Sequence, residues 1–593
     1  MQETDLGALP QWDLGDLYPA PDSAELAADL ERAGAEAKAF NARYAGNIAA
    51  LGGAELGQAV AAYEALQEIL GRILSYAQLV YSRAMDDPAV ARFFQTTQER
   101  VNEITTGLVF FTLELNRLDD AALERAQSES PKLAHYAPWL RDVRVFRPHQ
   151  LGDELERLLH EKEVAGRAAW VRLFDETVAA LRFPVDGKEL TGTEALHLLS
   201  DKDGALRREA ATSLGRVFKD NARLFALITN TLAKDKAIED KWRGYRAPES
   251  ARHLANHVEP EVVEALASAV RENYPRLSHR YYRLKCRWLG LDKLDYWDRN
   301  APLPEDDDRP VPWEQARATV LEAYGAFSPE LAEIGRRFFD EAWIDAAVAP
   351  GKAPGAFAHP TVPSAHPYLL LNYQGKTRDV MTLAHELGHG VHQVLASAQG
   401  ALMAETPLTL AETASVFGEQ LTFRAMVDAE TEPARRRIML AGKVEDMINT
   451  VIRQVAFYQF EQKVHGERRQ AELTPERLGE VWMEVQEESL GPSFRFADEY
   501  RYYWCYIPHF IHAPFYVYAY AFGDCLVHSL YAVYQGAGAG FEEKYLAMLR
   551  AGGTLRHKEL LAPFGLDASD PGFWSRGLEV VAGFIDELEA ASP

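Results

Sequence analysis

Apolar residues return at three- and four-residue steps along most of this 593-residue chain. That period lines one face of an α-helix and argues against a fold built of sheets. AELAADLERAGAEAKAF (24–40) carries it, as does the run from Leu56 to about Ser82. A third helix is expected from Pro88 through RFFQTTQERVNEITTGLVFFTLELNRL, its proline in the first turn, where a missing N–H costs nothing. Helical patterns recur at 153–162, 166–181, 204–240, 259–289, 313–341, 376–397, 433–465, 474–491, 540–551 and 574–590. Strand signals are few. RFPVDGKEL (182–190) reads as an extended pair around Asp186-Gly187, and PYLLLNY (367–373) as a strand with GAFAHPTVP before it as its mate. The expected fold class is mainly α, with a small β-sheet beside the 376–397 helix.

Two punctuated stretches divide the helices. DYWDRNAPLPEDDDRPVPWEQ (295–315) reads as an exposed crossing between helical layers. APGKAPGAFAHPTVPSAHP (349–367) reads as a long loop of the kind that often carries function. The segment from Tyr502 to Tyr534 is apolar enough to mimic a membrane span, yet it holds Pro508, Pro514, His509, His512, Asp524 and His528. Lipid-facing helices rarely carry so many polar groups, so a buried aromatic wall near a site is expected there.

The chain has 63 Lys and Arg against 88 Asp and Glu, a net charge of −25. Nucleic acid and anionic membranes call for clustered cations, so neither is expected as a partner. Cys286, Cys505 and Cys525 are odd in number, far apart and without CxxC spacing, which argues against disulfides and cysteine metal sites. The opening MQETDLGALPQWDLGDLYP has acids and a proline where an export signal needs basic residues and an apolar run. A cytoplasmic location is expected.

Within MTLAHELGHGVHQVL (381–395), His385 and His389 stand four residues apart. One helical turn brings both imidazoles to one face, where they can bind a single metal ion. Glu386 lies about 100° round the helix, beside such an ion but not on it, placed to take a proton from a metal-activated water. Gly388 and Gly390 are poor helix formers and make sense where another backbone or a ligand packs closely.

A catalytic zinc takes three protein ligands and keeps one position open. Thr406-Pro407 reads as an N-cap and first turn opening the helix TPLTLAETASVFGEQLTF. Glu412 and Glu419 share a face of that helix, and Glu405 lies outside it. Glu412 is a candidate third ligand, with Glu419 as a carboxylate holding an imidazole N–H. Spacing leaves Glu412 a second reading, a capping box with Thr409. His392 is the rival ligand, although three ligands from one helix would crowd the ion.

HELGH with LAETASVFGE downstream resembles the M3 family of zinc metallopeptidases, closest to its oligoendopeptidase F branch. The opening LPQWDLGDLYP, the block HPYLLLNYQGKTRDVMTLAHELGHGVHQ and the run IPHFIHAPFYVYAYAFG resemble that branch too, so the likeness spans nearly the whole chain. It implies a helical, clam-like fold with a deep channel and one zinc ion on its floor. It divides the chain into an N-terminal helical region (1–115), an oligoendopeptidase-F-type subdomain (116–200) and an M3-type catalytic domain (201–593). It implies His385, His389 and Glu412 as zinc ligands and Glu386 as general base. From the late aromatic segment it implies His509, Tyr516 and Tyr518 as groups that hold substrate and intermediate, with His512 and Tyr520 alternatives because the register is not fixed.

The implied activity is cleavage of internal bonds in short peptides by a cytoplasmic enzyme. An extended substrate could add to a strand edge near 355–373. The competing readings are an exopeptidase of the dipeptidyl carboxypeptidase type, with Arg501 a possible carboxylate group, and a non-catalytic peptide-binding protein. The intact set of His385, Glu386, His389 and Glu412 argues against the last.

Overall fold

The computed structural model describes residues 6–163, 165–303, 309–536 and 540–591. The fold is mainly α. The chain forms two compact units, each assembled from three separate stretches. One comprises Met1–Pro148, Asp308–Ala429 and Gly536–Leu566; the other comprises His149–Asp307, Glu430–Gln535 and Asp567–Pro593.

Capping residues set where helices of the first unit begin. Ser23, Asp87 and Ser328 each accept from a backbone N–H of the helix they precede, Ala24–Tyr44, Pro88–Thr106 and Pro329–Asp340 respectively. The expected single helix over 313–341 is therefore two, Trp313–Phe327 and Pro329–Asp340, because Ser328-Pro329 ends one and caps the next. The expected helix from Pro88 likewise breaks at Gly107-Leu108 and resumes over Val109–Arg117. A three-stranded sheet carries Tyr368–Leu370 at its centre, parallel to Ile344–Asp345 and antiparallel to Phe357–His359, the expected mate. The next element is the helix Thr377–Ala396, which holds HELGH. Asp379 starts it by accepting from the N–H groups of Gln374 and Lys376 at 2.9 and 3.0 Å. Its core face is Val380, Leu383, Ala384, Leu387 and Val391, all fully buried.

The second unit is organised by the 40-residue helix Gly204–Arg243, which stops at Gly244 in the left-handed conformation. The 259–289 pattern is two helices, Pro260–Glu272 and Ser278–Trp288, separated by a turn around Pro275. The 433–465 pattern is a helix, Pro433–Met447, a π-turn, Ile448–Ile452, and a second helix, Arg453–Arg468. Phe183–Val185 and Lys188–Leu190 form the expected hairpin, with Asp186 and Gly187 both at positive φ. Tyr296 and Asp298 are buried, so the start of the 295–315 stretch is not the exposed crossing expected; 304–308 lie outside the described residues. The 502–534 segment is broken into a 3₁₀ stretch, Asp498–Tyr506, a short helix, His509–His512, and the helix Tyr518–Gly536. Among the described residues no helix is long and apolar enough to cross a membrane.

Candidate active site

The Thr377–Ala396 helix packs along the helix Leu408–Ala429 in the first unit. Gly388 permits that close approach, and Gly418 makes room for a side chain of a third helix. A Cβ on Gly388 would stand 2.5 Å from the Ala414 carbonyl oxygen, and one on Gly418 would stand 2.0 Å from the Tyr324 hydroxyl. That hydroxyl instead donates to the Ala384 carbonyl at 2.6 Å, tying the motif helix to Trp313–Phe327. Gly390 faces the ring of Phe338.

This packing brings Glu412 to the two histidines. Its Oε2 lies 3.4 Å from Nε2 of His385 and 3.5 Å from Nε2 of His389. Three donors about 2.0–2.2 Å from one tetrahedral ion stand roughly 3.3–3.6 Å apart, so these separations fit a zinc-sized ion. Among the described residues the three form a group whose donor atoms could hold a metal ion. Glu419 Oε2 is 3.3 Å from Nδ1 of His385, on the side of the ring away from Glu412. Ser415, which spacing arguments missed, donates its hydroxyl to Glu412 Oε2 at 2.7 Å. The signal was present, since Ser415 sits one helical turn after Glu412.

The structure bears on three alternatives left by the sequence. The second helix starts at Leu408, so Thr409 lies inside it and the capping-box reading of Glu412 fails. Thr406 places its hydroxyl 3.3 Å from Nε2 of His392. His392 is buried against Thr406 and stands outside the metal-ligating group.

Glu386 is 8% exposed. Burial pushes its carboxyl up to about 7; the Glu412 charge adds to this, while the His385 charge and a hydrogen bond from the Ala358 backbone oppose it. Burial alone would lower His385, but the Glu419 hydrogen bond and the charges of Glu412, Glu419 and Glu386 hold it at about 9. Burial lowers His389. A metal ion at Nε2 of His385 would have to displace the proton held there. The Ala358 carbonyl on the sheet edge accepts from Gln393 at 3.4 Å, so part of the edge proposed for strand addition already has a partner.

The late aromatic residues belong to the second unit. His509 Nε2 lies 3.3 Å from the Tyr520 hydroxyl, and the rings of Tyr516 and Tyr520 meet edge-on at 5.3 Å. Tyr518 points elsewhere: it is 1% exposed, and its hydroxyl meets Asn256 Nδ2 at 2.9 Å and His253 Nδ1 at 3.0 Å. Tyr520 is 37% exposed, so the open set is His509, Tyr516 and Tyr520. His512 is engaged by Asp175 at 2.7 Å, and Arg501 by Asp498 at 3.0 Å.

A helix bearing two histidines and a neighbouring acid, crossed by a helix that adds one carboxylate, defines a metallopeptidase. The chain belongs to peptidase family M3, whose model matches residues 197–580. The model described as Oligopeptidase F matches residues 114–183. Oligopeptidase PepF of Bacillus subtilis is 25% identical over 547 residues, covering 89% of this chain and 80% of its own. An oligoendopeptidase F homolog of Borreliella burgdorferi is 26% identical, covering 89% and 90%. The crystal structure of oligoendopeptidase-F from Enterococcus faecium covers 96% of this chain and 99% of its own, with a TM-score of 0.69 and 22% identity. A Chlamydophila abortus crystal structure, described as that of a peptidase, has a TM-score of 0.87 and 22% identity and covers 98% of each chain.

Proposed function

We propose that this peptidase is a zinc-dependent endopeptidase that hydrolyses internal bonds of short peptides. The observation that carries the reading is the convergence of His385, His389 and Glu412 on one point with Glu386 beside it. Two imidazoles and one carboxylate are the donor set of a catalytic zinc site rather than of a calcium or magnesium site. When bound, the ion supplies Lewis acidity, polarising a peptide carbonyl and acidifying a water molecule.

The remaining work falls to the chain itself. Glu386 accepts the water's proton and passes it to the leaving amine; burial holds its carboxyl near neutrality, where one group can both take and give a proton. Glu419 fixes the ring of His385 through Nδ1, leaving Nε2 to face the ion. Ser415 holds one oxygen of Glu412. His509 and Tyr516 remain the candidates for holding substrate, joined by Tyr520 in place of Tyr518, whose hydroxyl is buried against Asn256 and His253. The relatives named for cleaving oligopeptides support peptides as substrates.

The test is cleavage of an internally quenched peptide blocked at both ends, before and after zinc is chelated and returned. Activity lost and then restored is the expected result. Trimming of free-ended peptides alone would replace the reading with an exopeptidase. No cleavage of either, with zinc bound, would remove catalysis from it.

A further inference from the structure

The candidate metal group lies where two helices of the first unit pack together, and a third helix of the same unit reaches into their contact. That helix, Trp313–Phe327, supplies Tyr324, which is 2% exposed. The Tyr324 hydroxyl meets both packed helices. It donates to the Ala384 carbonyl on Thr377–Ala396 at 2.6 Å, and it fills the place that a side chain at Gly418 on Leu408–Ala429 would take. Phe327, one turn further on, packs against Phe417 with ring centroids 5.0 Å apart.

Ala384 immediately precedes His385, and Gly418 immediately precedes Glu419. The hydroxyl therefore stands beside the neighbour of each member of the His385–Glu419 contact, whose atoms are 3.3 Å apart. The Ala384 carbonyl does not need this donor to be satisfied, because a helical carbonyl already has the N–H four residues on, here Gly388, as its regular partner. What the second donor adds is a fixed separation of the two helices at the level of Glu419. Burial holds the hydroxyl's proton, and the Glu419 charge close by strengthens that hold, so the group stays a donor. Leu408–Ala429 is itself anchored near Glu412: Tyr545, 1% exposed, donates to the Thr413 carbonyl at 2.8 Å and packs 4.5 Å from the ring of Phe417. Against a helix held in this way, Tyr324 governs where the histidine-bearing helix lies.

We propose that Tyr324 is a positioning residue of the metal site, its hydroxyl setting the reach of Glu419 to Nδ1 of His385 and thereby the aim of Nε2 at the ion. This rests on the zinc reading above and deepens it. Tyr324 acts through His385 and not on the ion itself.

The test uses the full-length protein, stripped of metal, with zinc as the probe in competition with a chromogenic chelator. Tyr324→Phe removes the hydroxyl and keeps the ring. Its zinc affinity is expected to fall about 10-fold, the lower end of what a supporting partner of a metal ligand is worth. Tyr503→Phe is the control. Tyr503 is also buried, and its hydroxyl donates to a helical carbonyl, that of Ala211, at 2.9 Å, in the unit without the metal group. The control should melt lower than the parent and bind zinc as tightly. Adding Tyr324→Phe to Glu419→Ala should cost no further affinity, because the hydroxyl works through that carboxylate. Gly418→Ala presses on the same hydroxyl from the other side, so it should reproduce the loss, and it serves if Tyr324→Phe does not fold. Undiminished zinc affinity in Tyr324→Phe overturns the inference, as does an equal loss in Tyr503→Phe or a full further loss in the double variant. A parent that binds no zinc overturns the zinc reading and this inference with it; a parent that binds zinc no more tightly than Tyr324→Phe overturns the inference alone.

Discussion

Replacing Gly388 with alanine tests whether the metal group depends on how closely two helices approach. The new Cβ would stand 2.5 Å from the Ala414 oxygen, 2.6 Å from Ser415 Cα and 2.8 Å from the Ala414 carbonyl carbon. These are backbone atoms and cannot rotate away. Carbon contacts settle at about 3.5–4.0 Å, so the helices must part locally by about 1 Å. Glu412 lies two residues before Ala414 and moves with it, whereas metal–ligand distances tolerate only about 0.2 Å. Overpacking of this kind costs roughly 1–3 kcal/mol. Alanine's better helix propensity returns up to ~1 kcal/mol, so a net loss of up to ~2 kcal/mol is expected. Zinc affinity should fall by at least about 10- to 100-fold, the range for losing a supporting contact around a metal ligand. Competition against a chromogenic chelator measures the affinity, and melting with and without zinc measures the stability. Gly442→Ala is the control, because Gly442 lies inside the helix Pro433–Met447 and its Cβ would meet nothing within 4 Å. It should raise stability by about 0.4–1 kcal/mol. Gly388→Ala binding zinc as tightly as the parent, and melting higher as the control does, would refute the reasoning.

Glu386→Gln should keep zinc and lose about 10²–10⁴-fold in turnover; loss of the metal as well would take the general-base role from this residue. Glu419→Ala should weaken zinc binding by about 10- to 100-fold through a loosened His385 ring, and unchanged affinity would count against its supporting role. Tyr520→Phe should reduce kcat by up to ~10²–10³-fold, while Tyr518→Phe should cost mainly stability, about 1–3 kcal/mol, because its hydroxyl is buried against Asn256 and His253; the opposite pattern would restore Tyr518 to the substrate. Glu461 is fully buried with its carboxyl pushed up to about 8 by burial, so the folded protein keeps a proton that the unfolded chain releases above its ordinary value of 4.5. Stability from this group is complete below about pH 4.5 and falls as pH rises toward 8. Glu461→Gln removes that slope, so its melting temperature should gain on the parent between pH 6.5 and 8; a constant difference across that window would be inconsistent with a buried proton.

The helical architecture was legible because amphipathic spacing is local, and so were the pairings at 183–190 and 357–370. Helix breaks were less so. Ser328-Pro329 was a readable stop, but the π-turn at Ile448–Ile452 leaves the apolar pattern nearly intact and gives no comparable sign. His385, Glu386 and His389 could be read because one helical turn fixes their geometry. Glu412 could not be settled by spacing, since T-x-x-E also describes a cap, and its place depends on the packing of two helices through Gly388. The register of the late tyrosines was hidden by the turn before Tyr516, where Phe515 adopts a φ of 60° with its N–H held by Glu461 at 2.8 Å. An aromatic-rich string does not reveal which way such a turn faces.

The threefold interleaving of the two units bears on how the molecule is made. A ribosome delivers the N-terminal end first, and neither unit has all its parts until the chain is nearly finished. Tyr545, whose hydroxyl donates to the Thr413 carbonyl beside Glu412, leaves the ribosome more than a hundred residues after His385 and His389. The nascent protein therefore carries its candidate ligands before the helix packing around them is complete. The packing around the candidate site is thereby completed only as synthesis nears its end.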